Sequence, residues 1–396
     1  MVGPPVRLGV IAVTALAVLV TWSDLPTASG TVGLLAGGAS GLSAGAGAGT
    51  PTGGGPGAAI SPTPWPTGAA VPGRPSSGSP GASATAPSAE AAATASAAPA
   101  RTTTPPTSPR PQTPRPATPP PAPAGWQPSF PIRAAFYYPW FPQAWSQSGY
   151  DPYTRYRPTL GYYDGAAASV VATQIGALRY AGVQVGIASW WGQGTLTDTR
   201  IPLLLQTASA VRFRWTLYYE AEAYGDPSPT QIASDLAYIA RRYASSPSFL
   251  RIGGRPAIFV YASGGDGCSM AQRWKAANAT AGFYVVLKVF AGYRGCSAQP
   301  SGWHQYAAAS RSDSQRGYSF SVSPGFWLIT ESAPRLARDP AAFASAVRAM
   351  VASDAPFQLI TTFNEWGEGT AVESATQWSS GSGYGTYLDI LHAGGR

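Results

Sequence analysis

The strongest constraint in this chain is a rhythm. Between residues 126 and 396, eight short runs rich in Val, Ile, Phe, Tyr and Trp alternate with stretches of helical pattern. The runs are 132–138, 183–190, 213–219, 256–261, 283–290, 303–307, 318–323 and 357–363. Helices are predicted over 166–180, 201–208, 230–243, 270–279 and 340–352, with Thr230 and Pro340 placed to cap or open a first turn. Strands separated by helices pair in parallel, and parallel strands are covered on both faces, so they read as apolar nearly throughout. Eight such units in about 270 residues predict an α/β fold of the (β/α)8 TIM-barrel type. An open doubly wound sheet is the competing architecture, but no Gly-rich phosphate fingerprint follows the first run.

The rhythm stops short of the N-terminus. Residues 31–125 alternate Pro, Ala, Ser, Thr and Gly with almost no large apolar side chain. Such a segment cannot bury enough surface to offset its ordering entropy, and a disordered linker or wall-spanning stalk is expected. Ahead of it, Arg7 precedes the apolar run of residues 8–20, and small residues follow at Ala28, Ser29 and Gly30. A run of that length suits a signal-peptide core and is short for a membrane span, which needs about 20 residues. The expected domains are therefore a signal peptide or signal anchor (1–30), the linker (31–125) and the barrel (126–396). The expected location is secreted or cell-surface, with the N-terminal segment available for membrane or cell-wall attachment.

Charge excludes some functions. The net charge is +8, but the basic residues are scattered and almost all Arg, with only Lys275 and Lys288 as lysines. No basic stripe with interleaved aromatics is present, which argues against a nucleic-acid partner. Two histidines, His304 and His392, with no cysteine–histidine cluster at ligand spacing, argue against a metal site, and no cofactor is expected. Neither histidine falls at a convincing strand end, and both are expected to be structural or exposed. Cys268 and Cys296 are the only cysteines; in an exported chain they are expected to form one disulfide, two unrelated thiols being the alternative. The chain is expected to act as a monomer.

In a TIM barrel the active site lies at the C-terminal ends of the strands. Here those ends carry Tyr137, Tyr138 and Trp140, then Trp190 and Trp191, then Tyr219 and Glu220, and finally Asn364, Glu365, Trp366 and Glu368. Aromatic faces stack on pyranose rings while Asn, Glu and Tyr take their hydroxyls, so a saccharide is the substrate class this mouth suits. Glycosidic cleavage needs one carboxyl to protonate the leaving oxygen and a second carboxylate acting elsewhere. Glu365 and Glu368 are the candidate catalytic pair, and crowding two acids in an apolar mouth keeps a proton available near neutral pH. Trp190 and Trp191 read equally well as core packing, and Glu220 equally well as the ion-pair partner of an arginine.

These same stretches resemble glycoside hydrolase family 99 and the 99-like proteins, the endo-α-mannosidase and endomannanase group. The likeness rests on FYYPWF (136–141), LGYYD (160–164), AGVQVGIASWWG (181–192), GRPAIFVY (254–261), SVSPG (321–325) and ITTFNEWGEGT (360–370). It implies a (β/α)8 barrel that cleaves internal α-mannosidic linkages with retention and without metal. It also implies a mechanism in which Glu365 acts as base on the sugar's own 2-hydroxyl and Glu368 acts as acid/base at the leaving oxygen. Where the family's mannosidases carry a histidine between the Trp and the second Glu, this chain has Gly367. The expected function is therefore an exported, retaining, endo-acting hydrolase of an α-linked, mannan-like cell-surface or environmental polysaccharide. A non-catalytic carbohydrate-binding barrel or a polysaccharide-assembly accessory protein is the alternative.

Overall fold

A computed structural model of the chain describes residues 125–263 and 265–395. The expected signal segment and all of the linker except Gly125 lie outside the described residues. Among the described residues no helix is long and apolar enough to cross a membrane.

All eight predicted runs form strands. In chain order they are β1 (Ile132–Tyr137), β2 (Val185–Trp190), β3 (Arg214–Tyr219), β5 (Arg255–Val260), β6 (Tyr284–Lys288), β7 (Gly302–His304), β9 (Ser319–Val322) and β10 (Phe357–Ile360). Two short strands, β4 (Arg251–Ile252) and β8 (Ser312–Gln315), were not anticipated; each pairs antiparallel, β4 with β5 and β8 with β9. The parallel ladder runs β7-β6-β5-β3-β2-β1-β10-β9, so the first and last barrel strands of the chain lie side by side. No ladder joins β7 to β9. That seam is bridged by side chains instead: Ser321 Oγ donates to the Gln305 carbonyl, Ser323 Oγ to Ala308 O at 2.7 Å, and Thr361 Oγ1 to Tyr306 O at 2.6 Å. The sheet is thus a near-closed barrel.

Six helices follow strands as crossovers or termini. They are α1 (Ala168–Tyr180), α2 (Leu196–Thr207), α4 (Pro229–Arg242), α5 (Cys268–Ala277), α6 (Pro340–Ala352) and the unanticipated α7 (Thr386–His392); a single turn, α3 (Glu222–Gly225), precedes α4. Three N-termini are held as their sequences dictate. Thr195, Ser228 and Asp339 accept from the backbone of Asp198, Gln231 and Ala342, with Pro229 and Pro340 in the first turn. Strict (β/α)8 alternation breaks after β6 and β7, where no α-helix intervenes and β8 folds back onto the barrel.

The expected disulfide is formed. Cys268 opens α5 and bonds Cys296, in the loop after β6, closing a separation of 28 residues. It braces the stretch of barrel that lacks an outer helix.

The barrel interior is aromatic. Phe136, Tyr218, Phe259, His304, Tyr306 and Phe357 pack against one another edge-on or tilted. His304 does end a strand, contrary to expectation, yet it is structural. It is fully buried, its Nε2 meets the Tyr218 hydroxyl at 3.1 Å, and burial pushes its pKa down to about 3, so it stays neutral. His392 stacks on Tyr180 and its Nδ1 lies 2.7 Å from the Tyr180 carbonyl, at the end of α7.

Candidate active site

The acid loop leaves β10 and folds back on itself. Thr362 N donates to Thr370 O and Thr370 N to Glu365 O, at 3.1 and 3.2 Å, while Thr362 Oγ1 accepts from Glu365 N at 2.8 Å. A strap from the loop after β9 fastens it from outside: Trp327 N donates to Glu368 O and Ile329 N to Gly367 O, at 2.8 and 2.9 Å. Glu365 and Glu368 are 5 % and 3 % exposed, and one carboxylate oxygen of each (Oε2) is buried with no hydrogen-bond partner among the described residues.

Glu220 joins them, and it is no arginine's ion-pair partner. It is wholly buried at the end of β3, and neither of its oxygens is in an ion pair among the described residues. Burial pushes its pKa up to about 8; the Ser189 hydroxyl draws it back and the charge of Glu368 raises it further. Burial likewise lifts Glu368 to about 8, with Arg335 lowering it and Glu331 raising it from the strap. Glu365 is raised well above the usual carboxylate range, first by burial and then by the charges of Glu368 and Glu220, with the N–H groups of Glu368 and Gly367 acting in the opposite direction. Three acids therefore share one low-dielectric mouth, and they cannot all ionise at neutral pH.

Only some of the expected aromatics face that mouth. Tyr138 does: its hydroxyl lies 2.8 Å from that of Tyr306, its ring packs on Trp140 at 4.6 Å, and all three acids raise its pKa. Trp191 is half-buried at the rim and stacks on Tyr224, whose own pKa is raised by the same three acids. Tyr137, Trp190 and Tyr219 point the other way, into the helical layer. Tyr137 OH donates to Gln174 Oε1 of α1, Trp190 Nε1 to Asp198 of α2, and Tyr219 OH to Asp235 of α4, all at 2.7–2.8 Å. Expecting adjacent aromatics to share the mouth overlooked the twofold alternation of strands, which sends neighbours to opposite faces.

Asn364 and Trp366 are also redirected. The Asn364 side chain accepts from Tyr138 N at 2.7 Å and donates to Tyr138 O at 3.0 Å, clamping the acid loop to the end of β1. Trp366 is 1 % exposed, stacks on Trp378 and donates Nε1 to the Tyr163 hydroxyl at 3.1 Å. Both support the loop from behind rather than lining the mouth. Tyr224 and Tyr306 belong to the mouth and went unpredicted, and Tyr218, at the end of β3, joins them. Counting two residues back from Glu220 finds Tyr218; Tyr306 lies just past β7, the weakest strand signal.

Gly367 has a steric reason. A Cβ there would lie 2.3 and 2.7 Å from Cε1 and Cδ1 of Tyr153 and 3.2 Å from Glu365 Oε1. The Tyr153 ring, from the loop after β1, thus abuts the backbone between the two acids. Away from the mouth, Glu222, Asp226 and Asp266 cluster, but Arg273 sits among them, bonded to Glu222 and 3.0 and 3.8 Å from the other two. Their counter-ion is already in place.

Comparison with known proteins gives these features a lineage. Residues 132–290, from β1 to just past β6, match the model of glycosyl hydrolase family 99. A mouse glycoprotein endo-α-1,2-mannosidase is 26 % identical over 134 residues, covering 31 % of this chain; the match spans only 29 % of the mouse protein. The solved structure of the family 99 endo-α-mannosidase of Bacteroides thetaiotaomicron superposes with a TM-score of 0.54 at 20 % identity, covering 67 % of this chain and 96 % of that one. The same enzyme in complex with bis-tris-propane superposes equally well, at TM-score 0.54 and 95 % of its length. That likeness is one of fold. Family match, curated relative and fold point the same way: over residues 132–290 this chain is similar to glycoside hydrolase family 99, and its fold resembles that of the endo-α-mannosidase structures.

Proposed function

We propose that the chain is an exported, retaining, endo-acting glycoside hydrolase whose substrate is an α-linked, mannan-like polysaccharide. The observation that carries this reading is the pair Glu365 and Glu368, buried at the end of the last barrel strand with one unpartnered oxygen each, ringed by Tyr138, Tyr306 and Tyr224. An acid held protonated near neutrality beside a second carboxylate is what glycosidic cleavage requires. Glu368, lifted to about 8, suits the group that protonates the leaving oxygen. Glu365 is raised as well, by burial and by the charge of Glu368, against the N–H groups of Glu368 and Gly367, and the role of base falls to it by its place in the motif that resembles the family's.

Glu365 takes the proton of the sugar's 2-hydroxyl, whose oxygen attacks the anomeric carbon as Glu368 protonates the departing oxygen. Glu368, now ionised, takes a proton from water, which opens the three-membered ring at the anomeric carbon while Glu365 returns its proton to the 2-oxygen. The net change is hydrolysis with retained configuration. Export rests on Arg7 and the apolar run 8–20, with the linker serving as a wall-spanning stalk.

A polysaccharide screen on the whole chain, with products sized and their anomeric configuration assigned, tests this reading. Retained-configuration oligosaccharides that vanish with Glu368→Gln and Glu365→Gln are expected. Inverted products would exclude participation of the 2-hydroxyl, and glycan binding without turnover would make the barrel a binding module.

A further inference from the structure

Behind the acid loop lies a fourth buried carboxylate, Glu373, which is 3 % exposed and forms no ion pair among the described residues. Its Oε2 accepts from the Tyr163 hydroxyl at 2.7 Å and its Oε1 from Gln174 Nε2 at 2.9 Å. Gln174 in turn accepts from Tyr137 OH at 2.7 Å. The Tyr163 hydroxyl has one proton, given to Glu373, and two lone pairs. One takes Trp366 Nε1 at 3.1 Å and the other Asn364 Nδ2 at 3.4 Å. Asn364 and Trp366 are the two residues that flank Glu365. Glu373 is also tied by its own backbone, N to Phe363 O at 2.9 Å and O from Trp378 Nε1 at 3.0 Å.

Every donor in this chain of bonds points toward the carboxylate, so its direction is set by a group that only accepts. A protonated Glu373 would have to donate, and Tyr163 already receives two N–H groups. We propose that Glu373 is a positioning residue for the acid pair, orienting Tyr163 so that it holds Asn364 and Trp366 on either side of Glu365. The proposal rests on the hydrolase reading for its kinetic arm only. The titratable neighbours are Tyr163 and Tyr137, with Arg200 the cation that reaches Tyr137. Burial lifts Glu373 to about 7, against the pull of Gln174, Tyr163 and Trp366, so its charge changes within an accessible range.

The test uses Glu373→Gln, Tyr163→Phe and the double variant in the whole chain. Misplacing a catalytic group by a fraction of its contact distance is costly, so kcat is expected to fall about ten- to a hundredfold in each single variant, with KM changed less than about threefold. The double variant is expected to be no worse than the worse single, because both break one relay. Independently of turnover, the Trp366 indole N–H resonance, assigned with Trp366→Phe, should titrate with a midpoint near the Glu373 value and stop doing so in Glu373→Gln. Additive losses, a KM effect alone, or an unchanged indole titration in Glu373→Gln would overturn the proposal. If Glu373→Gln does not fold, Tyr163→Phe, which deletes one hydroxyl, decides it on the same readouts. If the wild-type chain cleaves no glycan, the hydrolase reading falls and the indole titration alone decides this one.

Discussion

Gly367→Ala is the sharpest perturbation available, because its effect follows from three distances. The backbone at Gly367 is not in the left-handed region, so alanine meets no torsional penalty and the cost is purely steric. Its new methyl would sit 2.3 Å from Tyr153 Cε1 and 2.7 Å from Cδ1, whereas carbon atoms prefer about 3.5–4.0 Å. Either the ring or the acid loop must therefore retreat by more than about 1 Å. The ring cannot swing freely: Tyr153 is 6 % exposed and its backbone N–H is tied to Trp145 O at 2.6 Å. The loop cannot either, since Ile329 N holds Gly367 O. Overpacking of this size costs about 1–3 kcal/mol of stability, and a displaced acid pair costs about a hundredfold in kcat/KM. Thermal melts and kcat/KM on the active polysaccharide measure the two. Tyr153→Ala in the same chain should relieve the clash, so a double-mutant cycle should show a favourable coupling above about 1 kcal/mol. Wild-type stability and turnover in Gly367→Ala, or strict additivity with Tyr153→Ala, would refute the packing argument.

Three further outcomes are expected. Glu220, Glu368 and Glu373 have folded-state pKa values of about 8, 8 and 7, raised above an unfolded value of 4.5, so their contribution is full below 4.5 and lost as pH rises. Each should shed on the order of 1 kcal/mol per pH unit across its window, and a melting temperature that stays flat or climbs between pH 5 and 8.5 would contradict their burial as acids. Replacing Cys268 and Cys296 with serine opens a 28-residue loop and should lower stability by about 3–4 kcal/mol in non-reducing urea melts; a loss below about 1 kcal/mol would mean the loop after β6 is held by packing alone. Asn364→Ala removes both bonds that clamp the loop to Tyr138 and should lower stability by about 2–4 kcal/mol; a change within about 0.5 kcal/mol would show the clamp to be idle.

The sequence by itself determined the fold's periodic part. Buried parallel strands must be apolar and helices between them must carry caps, and both patterns are local, so the eight barrel strands and five of the helices were legible. The burial of Glu365 and Glu368 together past the last barrel strand was legible too, because charges placed where an apolar strand ends have few structural uses. Three things needed the tertiary structure. Which of two adjacent aromatics enters the mouth depends on strand parity, and a strand apolar on both faces does not display its parity in sequence. Tyr137 and Tyr138, or Tyr219 and Glu220, look equivalent until their faces are known. The short strand β8, which folds back antiparallel onto β9, lies in a segment that reads as an ordinary connection. Finally, the partners of the acid loop come from far along the chain: Tyr163 lies 210 residues before Glu373 and Gln174 lies 199 before it. Tyr153 fills the space that makes Gly367 a glycine. No local pattern encodes such pairings, because barrel closure brings β1 beside β10 and only then sets these groups in contact.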